Sequence, residues 1–148
     1  MIRNAEPKDL PALVQIGQKF HAESEQYSRL SYSGLKVLFL LKSLLANNDG
    51  MLIVAEKDGE IIGGMAAMVF QEWYSYEKLA TDICIFILPE HRGTAIAAEM
   101  IDHYKKWAKE RQAKFSLLSI STGINLERTQ GLYEKLGARY LGPVLIID

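Results

Sequence analysis

Hydrophobic positions in this chain switch between helical and strand spacing, and each switch marks a new element. Met1 to Asn4 reads as a short first strand. Glu6-Pro7 then opens a helix, with Leu10, Leu13, Val14, Ile16 and Phe20 recurring at helical spacing on one face. A polar, Tyr-containing segment, His21 to Ser33, separates it from a second helix carrying Leu35, Leu38, Phe39, Leu41, Leu44 and Leu45, which ends near Asn47-Asn48-Asp49-Gly50. Met51 to Glu56 and Glu60 to Phe70 read as strands joined by Asp58-Gly59, the best short hairpin signal present. Leu79 to Ile87 is the next strand. Beyond it, Met100, Ile101, Tyr104, Trp107 and Ala108 form the apolar face of a helix spanning Ala98 to Lys109. Phe115 to Ile120 is again a strand. Asn125 is placed to cap a short helix containing Leu132, Tyr133 and Leu136, which Gly137 ends at the usual glycine position. Arg139 to Ile147 reads as a final strand or hairpin. Hairpins mixed with a strand–helix–strand crossover make the class α+β, or mixed α/β.

Composition narrows the picture. A chain of 148 residues suits one domain, 1–148, and 49% hydrophobic with 24% charged residues is ordinary for a soluble globular protein. A net charge of -1 argues against general nucleic-acid binding and against an anionic membrane surface. The single cysteine, Cys84, rules out an internal disulfide and fits a cytoplasmic setting; within an apolar strand it reads as core rather than as a catalytic thiol. No signal peptide is visible, and the stretch Leu35 to Ala46 is too short and too interrupted by Lys36, Lys42 and Ser43 to span a bilayer.

The chemistry concentrates where the strand Ile83-Cys84-Ile85-Phe86-Ile87 stops at Pro89 and releases into a helix through Arg92-Gly93-Thr94-Ala95-Ile96-Ala97. Such a turn presents free backbone N–H groups and the positive end of a helix dipole, a seat for phosphate. Read alone it is equally an ordinary capping turn.

This turn resembles the Arg/Gln-x-x-Gly-x-Gly/Ala loop with which the GNAT superfamily of N-acetyltransferases seats the pyrophosphate of coenzyme A, with Ala95 standing where Gly is usual. Ile2-Arg3-Asn4-Ala5-Glu6-Pro7 followed by Asp9-Leu10 looks like that family's opening. Asn125 with Leu132-Tyr133-Glu134-Lys135-Leu136-Gly137 resembles its closing signature, with Ala138 for the common Phe and an Asn–Tyr spacing one residue longer. Gly123-Ile124-Asn125 is similar in style to some phage-encoded members. The resemblance covers nearly the whole chain. It implies a central, mostly antiparallel mixed sheet of six to seven strands, splayed at the cofactor site and flanked by about four helices.

The resemblance further implies acetyl-CoA as co-substrate and direct attack by a primary amine, carried by a small molecule or peptide, within a ternary complex. Cofactor contacts would come from the backbone of Ile85, Phe86 and Ile87, from Arg92, Gly93, Thr94, Ala95, Ile96 and Ala97, and from Asn125. Ala95 is harmless only if its position has helical φ and ψ. Tyr133 would protonate the departing thiolate, phenol and thiol being of similar basicity. Read without the motif, Tyr133 is a packed helical tyrosine and Asn125 a cap. For the base, Asp82 is the nearest acid on the strand. His21, Glu23 and Glu25, with Glu72 and Trp73-Tyr74, lie where the family often lines its acceptor pocket, though each also reads as a solvated loop residue. A catalytically silent GNAT-fold protein that binds CoA or another ligand as a sensor is the alternative.

His21, His91 and His103 show no metal-ligand spacing, and the mononucleotide, dinucleotide and serine-hydrolase motifs are absent. Homodimers are common in the family. Val144-Leu145-Ile146-Ile147 suits either a neighbouring copy or an internal strand.

Overall fold

The computed structural model describes residues 1–148, and its sheet is organised around one hairpin. Five strands lie in the order β1 (Ile2–Asn4), β2 (Gly50–Lys57), β3 (Glu60–Gln71), β4 (Lys78–Ile87) and β5 (Ser116–Leu117). All neighbours are antiparallel except β4 and β5, which are parallel. Asp58 and Gly59 both take positive φ, 52° and 82°, giving the β2–β3 turn a twist that matches its strands. Four helices cover the sheet: α1 (Leu10–Glu23), α2 (Gly34–Ala46), α3 (Ile96–Glu110) and α4 (Leu126–Lys135). The fold is α+β.

Each face of the sheet buries one helical stripe. Leu10 and Leu13 of α1 with Leu41 and Leu44 of α2 pack on Leu52, Val54 and Ala66. On the opposite face Met100, Tyr104, Trp107 and Ala108 of α3 pack on Ile53, Met65, Ala67 and Ala80. Alternation along β2 and β3 sends successive side chains to these two layers, and both strands are buried through the middle. The α1 end of the chain is tied down by Arg3, whose guanidinium donates to both Asp9 and Glu56.

Several expectations are corrected. The sheet has five strands, not six to seven. Ser116–Leu117 is all that forms of the strand expected over Phe115 to Ile120. Arg139 to Ile147 forms neither strand nor hairpin; Leu141, Val144, Leu145, Ile146 and Ile147 are exposed, and no ladder partner lies beside β5 to hold them. Glu6-Pro7 opens a single 3-10 turn (Pro7–Asp9) before α1 begins at Leu10. Of the apolar residues on α2, Leu41 and Leu44 are buried whereas Leu35 and Phe39 are exposed. No helix is long and apolar enough to cross a membrane.

Candidate functional site

A fork in the sheet creates the site. β4 and β5 pair only at Ala80–Ser116 and Thr81–Leu117, after which β4 runs on to Ile87 with an open edge. The fork is fixed at its crotch. Asp82 accepts the Ser119 N–H at 2.9 Å and the Ser119 hydroxyl at 3.3 Å, and Tyr104 of α3 donates to the Leu117 carbonyl at 2.9 Å. The space between the arms is a cleft of about 930 Å³, the upper range for a small-molecule site.

A bulge decides which backbone groups face this space. Ala66 pairs with Cys84 and Ala67 with Asp82, so Ile83 is an extra residue in β4. Before the bulge, Ala80 turns its N–H toward β5, bonding Phe115. After it the alternation is shifted by one. Leu88 donates to Ile62 of β3, so the backbone of Phe86 also faces β3, and Ile85 and Ile87 turn their N–H and C=O groups to the cleft. Phe86 therefore has no backbone group at the open edge, contrary to the expectation that it contacts the cofactor there. Its ring instead packs on Phe20, centroids 4.9 Å apart.

At the far end of the open edge, β4 passes through a 3-10 turn (Pro89–His91) into α3. Gly93 takes φ +82°, whereas Ala95 has φ -69° and ψ -11°. The positive φ thus falls on Gly93, and Ala95 stands in ordinary helical geometry without strain. The backbone N–H groups of Gly93, Thr94, Ala95, Ile96, Ala97 and Ala98 have no partner in the chain; the first to bond back is that of Glu99, to Ala95. This row of donors stands on a helix N-terminus, at the turn where the sequence reading expected a phosphate to sit.

Arg92 is half-buried and has its guanidinium fully engaged. Its Nε donates to the Ile87 carbonyl at 2.7 Å, its two Nη atoms meet Glu23 at 2.8 and 2.9 Å, and its guanidinium lies 5.1 Å from the Phe86 ring centroid. It braces β4, the turn and the end of α1. Glu23, expected to line the acceptor pocket, is committed to this brace.

Arg128 of α4 was not anticipated. Its Nη2 sits so close to Gly93 that a Cβ there would lie 2.7 Å from it. None of the ion pairs in the chain includes it. A cation in the first turn of a helix is disfavoured by the helix dipole. That local conflict was the sequence signal for a residue placed for another purpose.

Tyr133 is buried in the cleft wall, and its hydroxyl has no hydrogen-bond partner. Burial, and then the charge of Asp82, push its ionisation well above the ordinary phenol range, so it remains a proton donor. Burial likewise raises Asp82 above the usual carboxylate value against the opposing bonds from Ser119. The Cys84 thiol, half-buried at the cleft floor, is pushed up to about 11 by burial, which keeps it in the less reactive thiol form. Asn125 lines the cleft but does not cap α4 with its side chain; it adopts a left-handed conformation, φ 46° and ψ 46°, which Asn tolerates.

Across the cleft, Ser24 donates to the Thr122 carbonyl at 2.9 Å and ties the end of α1 to the loop after β5. His21 lines the same wall, its Nε2 buried without a partner. Two expected acceptor residues are not brought to the cleft. Glu25 is exposed outside it, and Trp73 is 91% exposed in the β3–β4 loop, edge-on to Tyr74. No cluster of His, Cys, Asp and Glu suited to a metal ion is present.

Comparison with known proteins adds four findings. A profile of the acetyltransferase (GNAT) family matches residues 13–138. An uncharacterised N-acetyltransferase of Archaeoglobus fulgidus is 31% identical over 120 residues, covering 79% of either chain. Among solved structures, an aminoglycoside 6'-N-acetyltransferase of Acinetobacter haemolyticus superposes with a TM-score of 0.77 at 18% identity, over 100% of this chain and 97% of the other. A predicted acetyltransferase of Clostridium acetobutylicum, solved with acetyl-CoA, does so with 0.78 at 23% identity, over 100% and 95%. These structural likenesses speak to the fold.

Proposed function

The chain belongs to the GNAT acetyltransferase family, and from that premise we propose that it moves an acetyl group from acetyl-CoA to a primary amine by direct attack in the cleft. The observation that carries the reading is the row of six unpartnered N–H groups, Gly93 to Ala98, standing at one end of an open strand edge. The edge from Asp82 to Ile87 is roughly 16 Å long at strand rise, room for an extended arm between a diphosphate and a thioester. Acetyl-CoA supplies the activated acyl group.

The residues divide the work. The N–H groups of the turn hold the diphosphate, and Arg128 faces it from α4. The backbone of Ile85 and the N–H of Ile87 bond the amide-bearing arm as an added strand would, the Ile87 carbonyl being already taken by Arg92. One of these cleft-facing N–H groups stabilises the oxyanion as the amine attacks the carbonyl carbon. The C–N bond forms, the C–S bond breaks, and the Tyr133 hydroxyl gives its proton to the departing thiolate. Asp82 holds the fork; both its oxygens accept from Ser119, so its role is positioning rather than taking the amine proton.

Titration calorimetry with acetyl-CoA and with free CoA tests the reading, followed by thiol release in the presence of primary amines. Micromolar binding and amine-dependent release are expected. Absence of binding to folded protein sinks it. Binding without release from any amine favours the sensor alternative.

A further inference from the structure

The two walls of the cleft differ in character, and the difference specifies the acceptor. The wall beside the phosphate seat carries side chains of both signs, Arg128 and Lys135 with Asp82 and Glu127, and Arg92 held by Glu23. The opposite wall, built by residues 24–41, contributes Tyr27, Leu30, Tyr32, Val37, Leu40 and Leu41, and no charged side chain. Tyr32 is fixed there by its hydroxyl, which donates to the Val14 carbonyl at 2.7 Å. The bulge in β4 adds to the same layer, since Ile83 and Cys84 both pack toward α1 and α2. Glu23, which would give this side a free carboxylate, is neutralised by Arg92.

One polar atom in this apolar wall lacks a partner. Nε2 of His21 is buried and unbonded, and the ring lies 5.5 Å from that of Tyr32. A buried, unpaired imidazole nitrogen in a ligand cleft is costly unless a ligand completes it.

Resting on the acetyl-transfer reading above, we propose that the acceptor is a primary amine borne on an uncharged, apolar body, its nitrogen docked against His21 Nε2. The body occupies the Tyr27–Leu41 wall. As the nitrogen attacks the thioester, its proton passes to Nε2, while the thiolate takes a proton from Tyr133; exchange with solvent then returns a proton from the imidazolium to the tyrosinate, so the sum is amine plus thioester giving amide plus thiol. A polycationic amine is disfavoured because its further charges would be desolvated against a wall with no counter-ion.

The test compares phenethylamine with spermidine and kanamycin as acceptors, on protein first shown by calorimetry to bind acetyl-CoA. The expected kcat/KM favours phenethylamine by about tenfold or more. Leu30→Glu, at a site 65% exposed and so tolerant of charge, is expected to erode that preference. His21→Ala is expected to lower kcat by roughly a hundredfold, with partial recovery on adding imidazole, which a merely structural loss would not show. Equal or better use of spermidine or kanamycin overturns the acceptor assignment, as does a His21→Ala enzyme of full activity or one that imidazole leaves unrescued. Either result, alongside measured acetyl transfer, leaves the parent reading standing; failure to bind acetyl-CoA removes both.

Discussion

Tyr133 sits where an unsatisfied hydroxyl is expensive, and the expense is informative. A buried phenol with no acceptor calls for an explanation, and in the proposed reaction the departing thiolate supplies one. Tyr133→Phe is therefore expected to lower kcat by about 10²–10⁴-fold, while calorimetry finds acetyl-CoA affinity nearly unchanged. Asp82 makes a different prediction. Its folded-state pKa is raised, chiefly by burial, so the folded protein binds this proton more tightly than the unfolded chain does. Stability from this group is complete at low pH and declines as pH rises from the ordinary carboxylate value through the raised one. Asp82→Asn keeps an acceptor for the Ser119 N–H and removes that decline. Thermal melts should show the variant gaining on the parent between pH 4 and 7, where about 1 kcal/mol is worth roughly 2–4 °C. Tyr133 stood out as a residue type in a motif, Asp82 only as the nearest acid on its strand. Their burial and partners were not readable, because Ser119 and Asp82 meet only across the fork.

At the scale of elements, the turn into α3 joins two kinds of information. Its free N–H groups follow from helix geometry alone and were legible in the order strand, Pro, Arg-Gly, helix. The position of the one left-handed residue was not: sequence left open whether Ala95 needed positive φ, and the fold assigns that duty to Gly93. Gly93→Ala combines a strained φ with a Cβ in the space of the Arg128 guanidinium. It is expected to cost about 1 kcal/mol of stability and to weaken acetyl-CoA binding. Arg128→Ala should weaken acetyl-CoA by about tenfold, the scale of one charge-assisted bond, and leave acetylpantetheine, which has no diphosphate, unaffected. Because both changes displace the same guanidinium, calorimetry on the double variant should return less than the sum of the two. The α4 helix was predicted with its apolar residues in register, yet Asn125 proved to start it without a side-chain cap.

The whole molecule has an incomplete sheet at its centre. Past Thr81 and Leu117 no strand of the chain pairs with the β5-facing edge of β4, so α4 and the loop before it are not tied to the sheet by a ladder. A ligand that lies along the open edge supplies the missing strand. At 100 times its Kd, acetyl-CoA should stabilise the protein by about 2.7 kcal/mol. A thermal shift measures this, and hydrogen exchange should slow in residues 118–135 more than in β2 and β3. Sequence by itself determined the helices, the hairpin and the strand–turn–helix order with its free N–H groups, because period, turn residues and helix ends act over a few neighbouring residues. Only the tertiary structure decided the rest: that β5 stops after two residues, that Arg139 to Ile147 stays outside the sheet, that Arg92 braces Glu23, and that Arg128 reaches Gly93 from α4. Those outcomes turn on which distant groups compete for the same hydrogen bonds and charges, and local propensity carries no record of that competition.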